Sequence, residues 1–406
     1  MGLYKMQINL DILLVLSPII CFMLLFFCSD GGRQYIACLW SLCFTLLCSI
    51  LLNCLNYNYY SIIDQKYRIY APFMSYASLI CILCNKAILK YRSVTYITML
   101  YVCINMLILC ILGKNHIYTT MLMVASNIVF PIFCSLIHPR KRVTIAAWIY
   151  FSFMILLSVL TIITAILTEY AKYSSTIYVL LLVINSLVFP LCDVFVNVSS
   201  KITIYAIHMF IHLLYQNVII DTIVSHEIYK NCEQGIVGIV ANVLIFITIC
   251  YCCMQSILSK HIRKRFIYIS IFNHAVITLD HINNLNQEIN ILQYTQCIVA
   301  SVFLIICSNI LQYTTKQNKV IIDTIMYISV AFQIFISAAT INSIGNSIYI
   351  IPYIMCSSVV ITSIIYSHKI SIQQAISCSI KIPMEKIVSS VMNIILNAIL
   401  IFIYLR

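Results

Sequence analysis

The sequence predicts an all-α polytopic membrane protein, a single membrane-embedded domain over residues 1–406 with about 14 transmembrane helices (12–14) and a broken helix near Pro190. Three observations carry that fold class. The chain is 62% hydrophobic and only 9% charged, whereas an ordinary soluble domain is about 25% charged. Apolar runs of spanning length, about 20 residues each, recur from one end to the other. The basic residues between those runs fall unevenly, as topology signals do.

The runs are, in order, 10–28, 36–55, 70–89, 93–112, 117–137, 145–168, 176–191, 194–219, 235–258, 265–280, 289–312, 321–343, 347–367 and 386–405. The first could pass for a signal peptide, but no small-residue cleavage site follows it, so it is expected to be a retained helix. Asn85 and Lys86 interrupt the third, and the tenth is short and polar at its start. With fourteen spans, one side of the membrane holds Lys5, Lys66, Arg68, Lys114, Lys172, Lys230 and Arg406. The opposite side takes the other Lys and Arg residues, including HPRKR at 138–142 and KHIRKR at 260–265. The positive-inside rule then places both termini outside the cytoplasm. A bacterial inner membrane fits this arrangement.

No polar segment is long enough for a soluble domain, so function is expected within the membrane or at its edge. The net charge of +12 serves topology and does not point to nucleic acid. Twenty cysteines are spread over apolar runs without a disulfide-like pattern, and free cysteine packs as a small hydrophobe. That reading also covers Cys81-x-x-Cys84 and the trio Cys250, Cys252 and Cys253. There is no Gly-rich phosphate loop, nucleophile elbow or pair of catalytic carboxylates. No cofactor and no metal site is expected.

Polar residues gather in two stretches. The first is DVFVNVSSKITIYAIHMFIHLLY at 193–215. Pro131 and Pro190 each remove a backbone donor inside an apolar run, which a membrane tolerates only against protein or a water-lined cavity. Pro190 is expected to break its helix, with Asp193 capping the second half from about Val194. Lys201 lies about two turns into that half. A cation at membrane depth costs roughly 2.5–3.5 kcal/mol on insertion scales. It is either a protonatable site in a proton path or a lysine whose stem snorkels to the interface. His208 and His212 are four apart and share a helix face. Without an acidic third ligand or a second His pair, relay or hydrogen-bonded packing fits them better than metal or haem. Asn197-Val198-Ser199 matches a glycosylation sequon but falls in a span.

The second stretch is KHIRKRFIYISIFNH at 260–274. Arg263, Lys264 and Arg265 sit at a cytoplasmic helix start and read as a topology signal. Behind them, Ser270, Asn273 and His274 form a polar stripe that a simple anchor does not need.

Together the two stretches resemble a family, the antiporter-like membrane subunits of respiratory complex I and the related Mrp-type cation/proton antiporter subunits. VSSKITIYAI is similar to the family's helix with a buried lysine and places Lys201 on that lysine. GIVGIVANVLIF at 235–246 leads into HIRKRFIYISIFNH, similar to the signature Lys-Lys/Arg-x-x-Ala-Tyr-Ser-Ser-x-x-His, with Lys264, Arg265, Ser270 and His274 on it. The resemblance implies a fourteen-helix, antiporter-like bundle in a larger complex, at most a non-catalytic subunit of an NADH:quinone oxidoreductase. It implies lipid and other membrane subunits as partners and protons or monovalent cations as cargo. The implied proton path has Lys201 at its centre, His208, His212 and His274 as relays, Lys264 at the cytoplasmic entrance, and Asp193 biasing the cavity.

The chain departs from the family at four places. Ser126 stands where a glutamate precedes the proline, here Pro131. Thr295 and Val299 replace a histidine and a lysine, Tyr349 replaces another lysine, and a Pro-x-His-x-Trp segment has no counterpart. These departures imply reduced or lost proton translocation. A purely structural membrane subunit and a stand-alone secondary transporter of a small solute remain the alternatives.

Overall fold

The computed structural model describes residues 141–171, 191–199, 236–259, 261–283 and 350–375, with further positions within 36–47, 117–125, 177–184 and 327–337. Almost every described residue is helical, the exceptions lying in the turn at 259–261, and among them there is no strand. The long elements are α1 (Lys141–Ala171), α2 (Leu191–Ser199), α3 (Ile236–Leu258), α4 (Ile262–Asn283) and α5 (Ile350–Ala375). The chain divides into two compact units, Met1–Tyr170 and Ala171–Arg406.

In the first unit, α1 shows what solvent this protein is built for. Ile145, Trp148, Ile149, Phe153, Leu156, Leu160, Ile163 and Leu167 are all exposed and recur at three- and four-residue spacing. The opposite face buries Ala147, Tyr150, Met154 and Ala165 together with Ser158, Thr161 and Thr164. The outward face is thus more apolar than the inward one, which suits lipid and not water. Thr161 Oγ1 donates to Leu157 O at 2.5 Å and Thr164 Oγ1 to Leu160 O at 2.9 Å. These back-bonds let hydroxyls sit at membrane depth without a missing partner.

Two apolar stretches, Thr144–Leu167 and Gly238–Leu258, run 24 and 21 residues. At 1.5 Å per residue they span about 36 and 31 Å, enough to cross a hydrocarbon core of about 30 Å. With the composition and the lipid-suited face of α1, they establish an integral membrane protein. Their bounds follow the apolar runs 145–168 and 235–258.

The second unit is organised around α4. From Arg265 to Val276 every side chain is buried, so the helix is surrounded by protein on all sides. α3 packs along it most extensively; α2 and α5 also touch it, and α5 packs on α3. Like α1, α3 presents an exposed apolar face, with Ile239, Val243, Ile247, Met254 and Leu258, and buries smaller residues such as Ala241, Cys252, Cys253 and Ser256. Small residues allow close approach to α5, where Ser363 Oγ donates to Ser256 O at 2.7 Å.

Two expectations are corrected. Helix α2 already holds Leu191 to Asp193, so Asp193 lies in its first turn and does not cap a helix that starts near Val194; Pro190 and the break expected there lie outside the described residues. The tenth span begins at Ile262 rather than at 265, so Arg263 and Lys264 lie within its first turn. The reason is local. The turn between α3 and α4 is only three residues long, and the Arg265 amide bonds His261 O at 3.1 Å, closing the first turn of α4 at once.

Candidate functional site

Three helices bring polar side chains together around Asp193. Its Oδ1 accepts from the Tyr268 hydroxyl of α4 at 2.5 Å. Its Oδ2 accepts from Asn197 Nδ2, one turn on along α2, at 3.1 Å. The same Asn197 turns its carbonyl oxygen to α4, where Lys264 Nζ donates to it at 2.6 Å. Tyr251 of α3 completes the cluster. It is partly exposed and meets the Tyr268 ring edge-on at a centroid distance of 6.1 Å.

The placement follows from spacing. Asp193 and Asn197 are four apart and share one face of α2, as Lys264 and Tyr268 do on α4. Packing those two faces together makes the cluster. Lys264 thus meets the carboxylate through an amide rather than directly. The arrangement keeps a cation and an anion near each other, which softens the cost of carrying either at membrane depth.

One position on, Arg265 turns the other way. It is 1% exposed, yet its Nη2 donates to Ser259 O at 2.7 Å, with Ile257 O at 3.5 Å. The guanidinium therefore sits at the C-terminal end of α3, where unpaired carbonyls and the negative end of the helix dipole favour a cation. Arg265 is a fastening between two helices, while Lys264 faces the Asp193 cluster.

Deeper along α4, Asn273 and Gln333 form a reciprocal amide pair. Asn273 Nδ2 donates to Gln333 Oε1 at 3.0 Å, and Gln333 Nε2 donates back to Asn273 Oδ1 at 2.8 Å. Both are buried. Next to them His274 is buried too, and its carbonyl accepts from Thr278 Oγ1 at 2.9 Å. Phe272 stacks on Tyr353 of α5 at 6.2 Å.

Of the six residues expected in a proton path, Asp193 and Lys264 come together through Asn197. His274 lies on the same helix as Lys264, ten residues further along, in the buried section with the amide pair. Lys201, His208 and His212 lie outside the described residues, as do Ser126, Thr295, Val299 and Tyr349. Among the described residues no group of three or more metal-ligating side chains occurs.

Sequence reasoning missed Asn197, Tyr251, Tyr268 and Gln333. A signal for Tyr268 was present. Sliding the Lys-Lys/Arg-x-x-Ala-Tyr-Ser-Ser-x-x-His signature back by one residue sets Arg263 and Lys264 on its basic pair, its tyrosine on Tyr268 and its histidine on Asn273. Tyr268 bonds across to Asp193 and Asn273 to Gln333.

No family model and no curated protein matches the sequence. Solved structures do match it. A chain of respiratory complex I from Thermus thermophilus, determined with bound aureothin, aligns with a TM-score of 0.73 over 96% of this chain and 96% of that one, at 10% identity. A chain of the Mrp complex from Dietzia sp. DQ12-45-1b aligns with a TM-score of 0.66, covering 93% of this chain and 81% of that one, at 11% identity. This protein shares their fold. At such low identity the likeness is one of architecture, and it agrees with the resemblance first carried by the 193–215 and 260–274 stretches.

Proposed function

We propose that the protein is a divergent, proton-conducting, antiporter-like membrane subunit that works inside a larger complex of the NADH:quinone oxidoreductase or multisubunit cation/proton antiporter kind. It acts as one membrane-embedded domain of about 14 helices, with both termini on the non-cytoplasmic side of a bacterial inner membrane and other membrane subunits as its partners. Protons or monovalent cations are its cargo. The observation that carries this reading is the Lys264–Asn197–Asp193–Tyr268 cluster in a chain with this fold: four polar groups joined across the helix behind Pro190 and a helix otherwise enclosed by protein. A scaffold has no need of a lysine and an aspartate there.

In this reading Asp193 and Lys264 belong to the proton path. Lys201, eight residues beyond Asp193 in the sequence, is its central site, and His208, His212 and His274 are relays. The test is proton flux into vesicles that contain the full-length protein, native against Lys201→Ala. The reading requires a loss of at least about tenfold, a threshold set below the roughly hundredfold that a positioned proton-transfer group contributes at the least. Flux equal to native would make Lys201 a snorkelling residue.

A second reading, a purely structural subunit, is favoured by the Asn273–Gln333 pair. Two carboxamides bonded to one another in the buried section of α4 offer no titratable group where a path would continue.

A further inference from the structure

We infer that Asp193 gains and loses its proton through the phenol of Tyr268, and that Asn197 is a positioning residue that holds the Lys264 ammonium one amide away from the carboxylate. The inference rests on the proton-transport reading and deepens it by naming the group that hands the proton over.

The argument starts from what each partner of Asp193 can do. A carboxylate has two oxygens, and here each has its own donor. Asn197 supplies one, but a carboxamide neither gains nor loses a proton in the accessible range. The bridge from Lys264 through Asn197 therefore transmits charge and position, not protons. Tyr268 supplies the other. A phenol is donor and acceptor at once, and the 2.5 Å separation from Oδ1 is the short kind that a hydroxyl makes to a charged oxygen. Tyr251 stands beside it, its ring edge-on to that of Tyr268 at 6.1 Å, and is the less enclosed of the two phenols.

The transfer balances with the incoming hydronium ion as its only reagent. The Tyr268 O–H bond breaks as an O–H bond forms on Asp193 Oδ1, and the Tyr268 oxygen takes the proton of the Tyr251 hydroxyl. Tyr251 takes the proton of the hydronium ion, which leaves as water. One proton enters, one rests on Asp193, and both phenols end neutral. Holding Lys264 at one amide's distance suits this cycle. A direct ion pair between two buried charges is costly to break, whereas a separated pair lets Asp193 become neutral with Lys264 still seated on Asn197.

The test uses the full-length protein in vesicles, labelled with ring-deuterated tyrosine. Infrared difference spectra between native and Tyr268→Phe protein isolate the phenol C–O stretch of Tyr268. That band is expected to shift in Asp193→Asn, and proton flux is expected to fall at least tenfold in Tyr268→Phe. Asn197→Leu is expected to lower flux, with recovery in Asn197→Gln, which can still bridge. Should native vesicles conduct while Tyr268→Phe conducts within twofold of them, or should the band ignore Asp193→Asn, the inference is overturned and the transport reading stands. Should the band shift as expected while native vesicles conduct no protons, the bonded cluster is upheld and the transport reading falls. Loss of a variant from the membrane is caught by the infrared amide signal, and Asp193→Asn then carries the comparison.

Discussion

Replacing Arg265 by Met should loosen the α3–α4 corner, and the structure allows the size of the effect to be worked out. Arg265 is almost fully buried, and its Nη2 makes one short bond, 2.7 Å to Ser259 O. A hydrogen bond to a charged group contributes about 1.5–3 kcal/mol net. The attraction between a cation and a helix C-terminus adds about 0.3–1 kcal/mol. The contact with Ile257 O at 3.5 Å is too long to add much. Met fills most of the same volume and leaves no unpaired charge behind, so the loss is about 2–4 kcal/mol. Arg265→Lys should lose less, because an ammonium can still reach one carbonyl but lacks the planar fork. The assay is thermal unfolding of the purified full-length protein in detergent at a fixed scan rate, beside hydrogen exchange over 255–266. The expected order of stability is native, then Lys, then Met, with faster exchange confined to the corner. A Met variant within about 0.5 kcal/mol of native, the range of ordinary surface changes, would refute the claim that this arginine fastens the two helices.

Three further outcomes follow from the same structure. Asn273→Leu and Gln333→Leu should each destabilise by about 1–3 kcal/mol, since each leaves a buried amide unpaired, while the double variant costs less than the sum; an additive cycle in thermal unfolding would show that the pair is not coupled. Leu156→Arg, on the exposed face of α1, should impair membrane insertion by about 2.5–3.5 kcal/mol, read as lost membrane-fraction yield; Arg at this position without effect would mean that the face does not meet lipid. Asn197→Asp offers Lys264 a direct ion pair and should slow proton flux without lowering the unfolding temperature, so unchanged flux would argue against a role for the amide spacer.

How far the sequence can be read depends on whether the information is local. The apolar runs at 145–168 and 235–258 anticipate Thr144–Leu167 and Ile236–Leu258 closely, because span length is fixed by membrane thickness and apolarity is visible residue by residue. The run that begins at 265 starts three residues later than α4 does. HIRKR reads as a loop because cations avoid membrane depth, and nothing in the sequence reveals that Arg265 finds the carbonyls at the end of α3. Likewise the run ending at 367 gives no sign that α5 continues to Ala375.

The site itself is only half visible in the sequence. Asp193, Lys264 and His274 stand out as ionisable groups in apolar surroundings, so they can be named. The pairs Asp193–Tyr268 and Asn197–Lys264, and Asn273–Gln333 beside His274, join residues 75, 67 and 60 positions apart. Uncharged Asn, Gln and Tyr carry no such signal alone. Asn197 even draws attention for the wrong reason, as a sequon. What joins them is the packing of two helix faces, each with its polar residues four apart.

The most direct test of the account is proton flux through vesicles holding the full-length protein, driven by a pH step, with native protein compared to Lys264→Met. The account predicts that native vesicles take up protons well above protein-free vesicles and that Lys264→Met lowers the rate by at least about tenfold. Native flux no greater than the protein-free background, or a Lys264→Met rate equal to native, would contradict it.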